Sequence, residues 1–216
     1  MPATTAEKHP ISLYIFLGIW LAIILLLSLN EAFIPETGQP PGNILLAALT
    51  PILLFLLLFM LMRPFRQFIL SLDIRLLILL HSWRMLGMGF VMLYVIDQLP
   101  PLFAFLAGFG DSLAAISAVI IGYALFTHTN GVSRLAISSW NTFGLVDFIV
   151  AISIGILTQT NATLYDSSGV SSDLMTVFPF VIIPCFLVPL LAITHIIIFL
   201  QLHYNFKAQQ TILLTN

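Results

Sequence analysis

Charged residues are scarce in this sequence. Asp, Glu, Lys and Arg together make up 7% of its 216 residues, against about 25% in soluble proteins. Hydrophobic residues make up 60%, and the mean hydropathy is +1.09. So little charge excludes an ordinary soluble domain. The composition instead predicts one polytopic membrane domain, whose main partner is the lipid bilayer.

Cysteine and clustered basic residues are also nearly absent. The one cysteine, Cys185, lies in an apolar run, which excludes an intrachain disulfide and a zinc-type cysteine cluster. The seven Lys and Arg residues are scattered, so there is no basic stripe for nucleic acid and no polybasic cluster for anionic lipid. The sequence has no G-x-x-x-x-G-K-[ST], H-E-x-x-H or G-x-S-x-G motif. It therefore leaves open whether the protein is an enzyme.

Long apolar stretches dominate what the sequence does contain. About 20 residues cross the hydrocarbon core as a helix, and the predicted fold is all-α, a polytopic membrane protein with six transmembrane helices. These helices form one domain over residues 11–204, between tails at 1–10 and 205–216. The six spans are predicted at residues 11–29, 43–62, 75–97, 111–126, 135–157 and 184–204.

The placement of Lys and Arg predicts the orientation of these spans. Cytoplasmic loops of membrane proteins are enriched in Lys and Arg. With six spans, all such residues except Arg84 fall on one side of the membrane or at its interface, and the opposite loops carry only acidic charges. Both termini are therefore predicted to be cytoplasmic, and we expect the protein in a bacterial inner (plasma) membrane. The residues on the basic side are Lys8, Arg63, Arg66, Arg75, Arg134 and Lys207.

Two short segments lie between the predicted spans. Residues 63–72 mix arginines with aromatic residues and predict an interfacial turn or a short amphipathic helix, after which Asp73 is expected to cap the third span. Residues 102–110 are apolar but too short to cross, and they end in a glycine-rich break. They fit a re-entrant segment or a surface loop equally well. Either interpretation makes Asp111 the N-cap of the fourth span and a candidate outer gate.

The third span carries ionisable residues well inside its apolar run. His81 and Arg84 are three residues apart and share a helical face, and charge at that depth is costly unless it has protein partners. With about 1.5 Å of rise per residue, Arg84 lies level with Asp147 of the fifth span near the midplane. His81 lies level with His195 of the sixth span in the inner half of the bilayer. The sequence thus predicts a buried polar site of His81, Arg84, Asn141, Asp147 and His195.

Small residues support this convergence of helices. Asn141, Gly144 and Asp147 follow one face of the fifth span, and Ala118 and Gly122 follow one face of the fourth. Such spacing lets membrane helices approach closely. The first two spans lack such faces, so we expect spans three to six to form the inner bundle.

Each residue of the predicted site also has a purely structural explanation. Arg84 and Asp147 can form an ion pair that holds two helices together. His81 and His195 can be hydrogen-bonded interior histidines, and Asn141 can form an interhelical hydrogen bond.

Three functional hypotheses follow from the sequence. The first is a small transporter or proton-linked carrier of a small molecule or ion, because proline-interrupted helices around a midplane polar site are typical of transporters. The second is a non-catalytic subunit or assembly partner, in a homo- or hetero-oligomer. The third is a redox protein with haem or a metal held by His81 and His195, which we favour least because only one histidine pair is available.

Overall fold

The computed structural model describes residues 10–36, 39–127, 132–165 and 169–215, which contain helices and no strand. This confirms the all-α class. The predicted tail at residues 1–10 lies outside the described part except for Pro10. The α-helices are α1 (Pro10–Leu29), α2 (Gly42–Leu61), α3 (Arg63–Ser71), α4 (Ile74–Leu80), α5 (Met88–Val95), α6 (Pro101–Thr127), α7 (Arg134–Leu157) and α8 (Val188–Thr215).

Five helices among the described residues are long and apolar enough to cross a membrane. Their length and composition fit a multi-pass helical membrane protein, and four of them have bounds close to those of the predicted spans. The described apolar part of α1, Leu13–Leu29, is shorter than these five. The candidate spans are Gly42–Leu61, Ile74–Val95, Pro101–Thr127, Arg134–Leu157 and Ile183–Tyr204.

The fourth span differs from the prediction. Helix α6 runs without interruption from Pro101 to Thr127, so residues 102–110 are neither re-entrant nor a surface loop. Asp111 lies inside this helix rather than at its N-cap. Glycine is suited to close helix packing as well as to a chain break. At Gly108 and Gly110 it serves packing, because neighbouring helices approach α6 at both positions.

The third span changes helix type at its centre, which the sequence did not predict. Helices α4 and α5 are joined by a 3₁₀ segment, His81–Gly87, of seven residues, whereas 3₁₀ runs longer than about four residues are uncommon. A 3₁₀ helix has three residues per turn, so residues three apart lie in line. His81, Arg84 and Gly87 therefore form one edge of the segment, and all three are buried.

The last span begins with a π-helical segment, Ile183–Leu187, before α8. Helix α8 continues as far as Thr215, through most of the predicted tail at residues 205–216. Helix α6 packs on the 3₁₀ segment, α5 and α7, and α7 packs on α8. Helix α2 packs on α8, α3 and the π segment, and Trp20 of α1 contacts Phe186 of that segment at a ring distance of 4.7 Å.

Helix α3 confirms one of the two alternatives for residues 63–72, because it is a short helix with a polar and an apolar face. Its C-terminal end is tied to α8 by Gln201, which is 3% exposed. The amide Nε2 of Gln201 donates to the carbonyl oxygens of Ile69 at 3.1 Å and Leu72 at 2.9 Å. These hydrogen bonds provide a donor for two carbonyls at the end of the helix, where the regular intrahelical pattern stops.

Asp73 caps α4, as predicted. Its Oδ1 accepts a hydrogen bond from the backbone N–H of Arg75 at 2.9 Å, and its Oδ2 lies 2.6 Å from Arg75 Nη2. The side-chain hydrogen bonds from Arg75 lower the pKa of the Asp73 carboxyl below its ordinary value. The carboxylate is therefore the form that the folded protein favours at this position.

We expect Asp73→Ala to lower the free energy of unfolding by about 0.5–2 kcal/mol, because the cap is lost. The folded pKa of Asp73 lies below the unfolded one, so this contribution is present above the unfolded pKa and is lost as the pH falls through the folded pKa. Thermal unfolding in detergent, from neutral to acidic pH, measures both effects. Asp73→Asn keeps a capping oxygen and should retain most of the stability at neutral pH. An equal loss in both variants would contradict the capping role.

Candidate functional site

Arg84 lies at the centre of a buried ion triad. Its Nε donates to Asp111 Oδ1 of α6 at 2.7 Å, and its Nη2 pairs with Asp147 Oδ2 of α7. The side chains of Arg84, Asp147 and Asp111 are 1%, 7% and 17% exposed. Buried charges persist in proteins when they are paired in this way. With both carboxylates ionised, the triad has a formal charge of −1.

His195 extends the triad into α8. Arg84 Nη1 lies 3.2 Å from His195 Nε2 and donates to the Gly144 carbonyl oxygen at 3.3 Å. The His195 backbone carbonyl can only accept, so the Asn141 amide nitrogen Nδ2 donates to it at 2.9 Å. The Asn141 amide oxygen Oδ1 then lies 2.7 Å from His195 Nδ1. An amide oxygen also only accepts. Nδ1 of His195 therefore carries the hydrogen, its Nε2 accepts from Arg84, and the imidazole is neutral.

His81 is fully buried and lies against His195, with ring centroids 3.9 Å apart and ring planes inclined at 33°. Its Nε2 lies 2.9 Å from Thr194 Oγ1, and that hydroxyl donates to the Leu191 carbonyl oxygen at 2.7 Å. Because the hydroxyl hydrogen is used there, His81 Nε2–H must be the donor to Thr194. The other ring nitrogen, His81 Nδ1, has no hydrogen-bond partner among the described residues.

Two aromatic side chains enclose this cluster. The Arg84 guanidinium lies over the Phe148 ring, 3.9 Å from its centroid, an arrangement that stabilises a desolvated cation. The Trp140 ring lies 5.2 Å from that of His81, and its Nε1 donates to the Ala114 carbonyl oxygen at 3.1 Å. The sequence did not indicate Phe148, since it is one of 18 phenylalanines in an apolar chain.

Three glycines provide the space that the polar side chains occupy. A Cβ atom at any of them would overlap a side chain of the site, so α6, α7 and the 3₁₀ segment can meet there only because these residues lack one. Each glycine lies against a different partner: Gly87 against Asp111, Gly110 against Asp147 and Gly144 against His195.

The structure brings together the five side chains that the sequence analysis placed in one site. It corrects the position of Asp111, which pairs with Arg84 instead of capping a helix near the outer surface. Thr194 was missed, although its position next to His195 is a signal that could have found it. The five residues brought together are His81, Arg84, Asn141, Asp147 and His195.

The two histidines do not face each other as haem ligands would. Axial ligation places the iron between two nitrogen lone pairs, whereas the centroids of these two rings are only 3.9 Å apart. Three of their four ring nitrogens are engaged by Thr194, Asn141 and Arg84. The described residues contain no group of three or more His, Cys, Asp or Glu that could hold a metal ion. Haem between His81 and His195 would require a rearranged site.

A groove of about 400 Å³ lies between the third span and the start of α8, with Arg84 and Asp111 among its lining residues. Trp83 and Leu86 also line it and are 66% and 69% exposed, so the groove opens on the outer surface of the helix bundle. A smaller cavity of about 70 Å³ is lined in part by residues of the connecting loops, including Pro41 and Gln159. Asp111 is one of the residues that line both spaces.

Comparison with known proteins identifies one family. A family model described as Domain of unknown function (DUF8737) matches residues 41–203. The match covers all five candidate spans, except for the last residue of the fifth, and every side chain of the buried site, whereas α1 lies outside it. No curated protein and no solved structure matches the chain.

Proposed function

Since the chain belongs to the family Domain of unknown function (DUF8737), whose description names no activity, we propose its function from the buried site. We propose that it is a small proton-linked carrier in the bacterial inner (plasma) membrane. In this proposal His81, Arg84, Asn141, Asp147 and His195 form the substrate and proton site, and Asp111 is its outer gate.

The charge balance of the triad carries this proposal. One arginine pairs with two carboxylates, and the hydrogen bonds of the neighbouring His195 make its imidazole neutral. An uncompensated negative charge inside a bilayer is costly. The site therefore favours one additional positive charge, either a proton or a cationic group. A proton and a cationic group each neutralise this negative charge, so the binding of one disfavours the binding of the other. Such competition is the basis of coupled exchange.

The architecture proposed for the carrier has six spans, with both termini cytoplasmic and spans three to six as the inner bundle. Two observations support it. Every polar side chain of the site comes from the third to sixth predicted spans. The apolar part of α1, Leu13–Leu29, contains no charged residue, and as a sixth span it leaves the basic loops on one face.

His81 is the residue best suited to receive the proton. It lies one 3₁₀ turn from Arg84, on the side nearer the predicted cytoplasmic face, and its Nδ1 has no hydrogen-bond partner among the described residues. Histidine is the side chain that most readily gains and loses a proton near neutral pH. We therefore propose that protons pass between the carboxylate pair and the cytoplasm by way of His81.

We expect Asp147→Asn to lower proton-coupled flux by at least about tenfold, the factor that corresponds to about 1.4 kcal/mol of lost interaction. The substitution keeps the size of the side chain and removes the charge that the proton neutralises. Purified protein in liposomes loaded with a pH-sensitive dye is tested with organic cations, inorganic cations and small anions. The wild type should change the luminal pH only with a transported class.

The matched control for this experiment is Asp97→Asn. Asp97 is exposed beyond the end of α5 and has positive φ, which asparagine tolerates. The proton-coupled flux of the Asp97→Asn variant should equal that of the wild type. Flux that persists in the double variant Asp147→Asn, Arg84→Ala would contradict the proposal.

A chain that purifies only with other subunits and moves no substrate alone would favour the assembly-partner hypothesis.

A further inference from the structure

The groove beside the third span has a charged group within reach of its interior. Asp111 is the most exposed member of the triad, at 17% of its side chain, compared with 7% for Asp147. Its Oδ1 accepts from Arg84 Nε. Its Oδ2 lies against Gly87, and both residues line the groove. A molecule in the groove would therefore meet a carboxylate oxygen before any other charged atom.

The charge of this site favours a cation over an anion. Arg84 already donates four of its five N–H groups, to Asp111, Asp147, His195 and the Gly144 carbonyl. Little of its hydrogen-bonding capacity remains for an anionic ligand. The charged groups that face Asp111 are Arg84 of the 3₁₀ segment and Asp147 of α7, while His195 of α8 is neutral. Their sum with Asp111 is −1.

The walls of the groove favour a ligand with an apolar surface. Its volume of about 400 Å³ is within the usual range of ligand pockets, about 300–1,000 Å³. Aromatic rings line it beside leucine and isoleucine side chains, and such rings attract cations as well as apolar groups. A small hydrated ion would gain nothing from these walls. The aromatic lining residues are Trp83, Phe90 and Phe148.

We infer that this groove binds a lipophilic organic cation, with Asp111 as its counter-ion. The inference rests on the proposed carrier function, for which it names the substrate class. When the cation binds, one proton leaves the Asp111–Asp147 carboxylate pair for bulk water, so the charge of the occupied site does not change. The cation enters from the bilayer through the opening beside Trp83 and Leu86.

Two ions of equal shape and opposite charge test the inference. Tetraphenylphosphonium and tetraphenylborate are each measured by equilibrium dialysis against detergent-solubilised protein, with protein-free micelles as the reference. We expect saturable binding of the phosphonium, with release of one proton per cation into weakly buffered solution. We expect the borate to bind at least about tenfold more weakly. Asp111→Asn should lower phosphonium affinity by at least about tenfold, and Asp97→Asn should leave it unchanged.

Each outcome decides the inference. Equal or tighter binding of the borate, or no saturable binding of either ion, would overturn it, and unsaturable uptake would mean that the groove holds only lipid tails. The comparison of the two ions uses the wild type, so it decides even if Asp111→Asn does not fold. Phosphonium binding without flux would contradict the carrier function alone. Asp147-dependent flux of another substrate, without phosphonium binding, would contradict this inference alone.

Discussion

Arg84→Ala is expected to lower the free energy of unfolding by about 3–5 kcal/mol, because it leaves buried charges without their partner. The guanidinium is the common partner of Asp111, Asp147 and His195. Its removal places two carboxylates beside each other with no cation between them. Thermal or denaturant unfolding in detergent, followed by tryptophan fluorescence, measures the loss.

Two variants make this prediction specific. Arg63 is exposed at the start of α3, so Arg63→Ala should change stability little. The combination Arg84→Met, Asp111→Asn, Asp147→Asn removes all three charges and should recover much of the stability, since neutral replacements of a buried ion cluster are often tolerated. It should nevertheless remain inactive in proton-coupled flux. If Arg84→Ala is as stable as Arg63→Ala, the triad is not a stabilising element.

Gly110→Ala is expected to produce the second large effect, a loss of about 1–3 kcal/mol together with loss of flux. The new Cβ would overlap Asp147 Oδ1, so the carboxylate must leave its position beside Arg84. Because α6 is helical at this residue, the alanine backbone itself is unstrained. The loss would therefore come from the displaced side chain.

Gly89→Ala is the matched control for Gly110→Ala. Gly89 lies in α5, and a Cβ there meets nothing within 4 Å. Alanine is the better helix former by about 1 kcal/mol, so this variant should be unchanged or slightly more stable, with normal flux. The two substitutions are chemically identical, but only Gly110→Ala should lower the free energy of unfolding and the flux. Equal effects on stability and flux would show that close packing at Gly110 does not hold the site.

Several features could be predicted because they depend on local or one-dimensional properties. The cap at Asp73 needs only a side chain next to its own helix. The common level of Arg84 and Asp147 follows from the constant rise of a helix and from the bilayer, which aligns the helix ends. The same reasoning placed His195 beside His81, and in the structure their ring centroids are 3.9 Å apart.

Other features depend on contacts between helices that no local pattern specifies. Gly108 and Gly110 are equally suitable for a chain break and for close packing, and only the approach of neighbouring helices decides for packing. The resulting continuous α6 brings Asp111 to Arg84. Likewise, the hydrogen-bond partners of His81 and His195 set their tautomers, and these partners lie on other turns or other helices.

The amino-acid sequence by itself determined that this is a helical, multi-pass membrane protein with polar residues at matching depths, because hydropathy and helical rise act along one axis. The tertiary structure alone decided that Arg84 joins two carboxylates, that His195 is neutral and lies against His81, and that a groove reaches Asp111. Those features depend on how each helix is rotated and how closely it approaches its neighbours. Rotation and distance are set by packing among residues far apart in the chain.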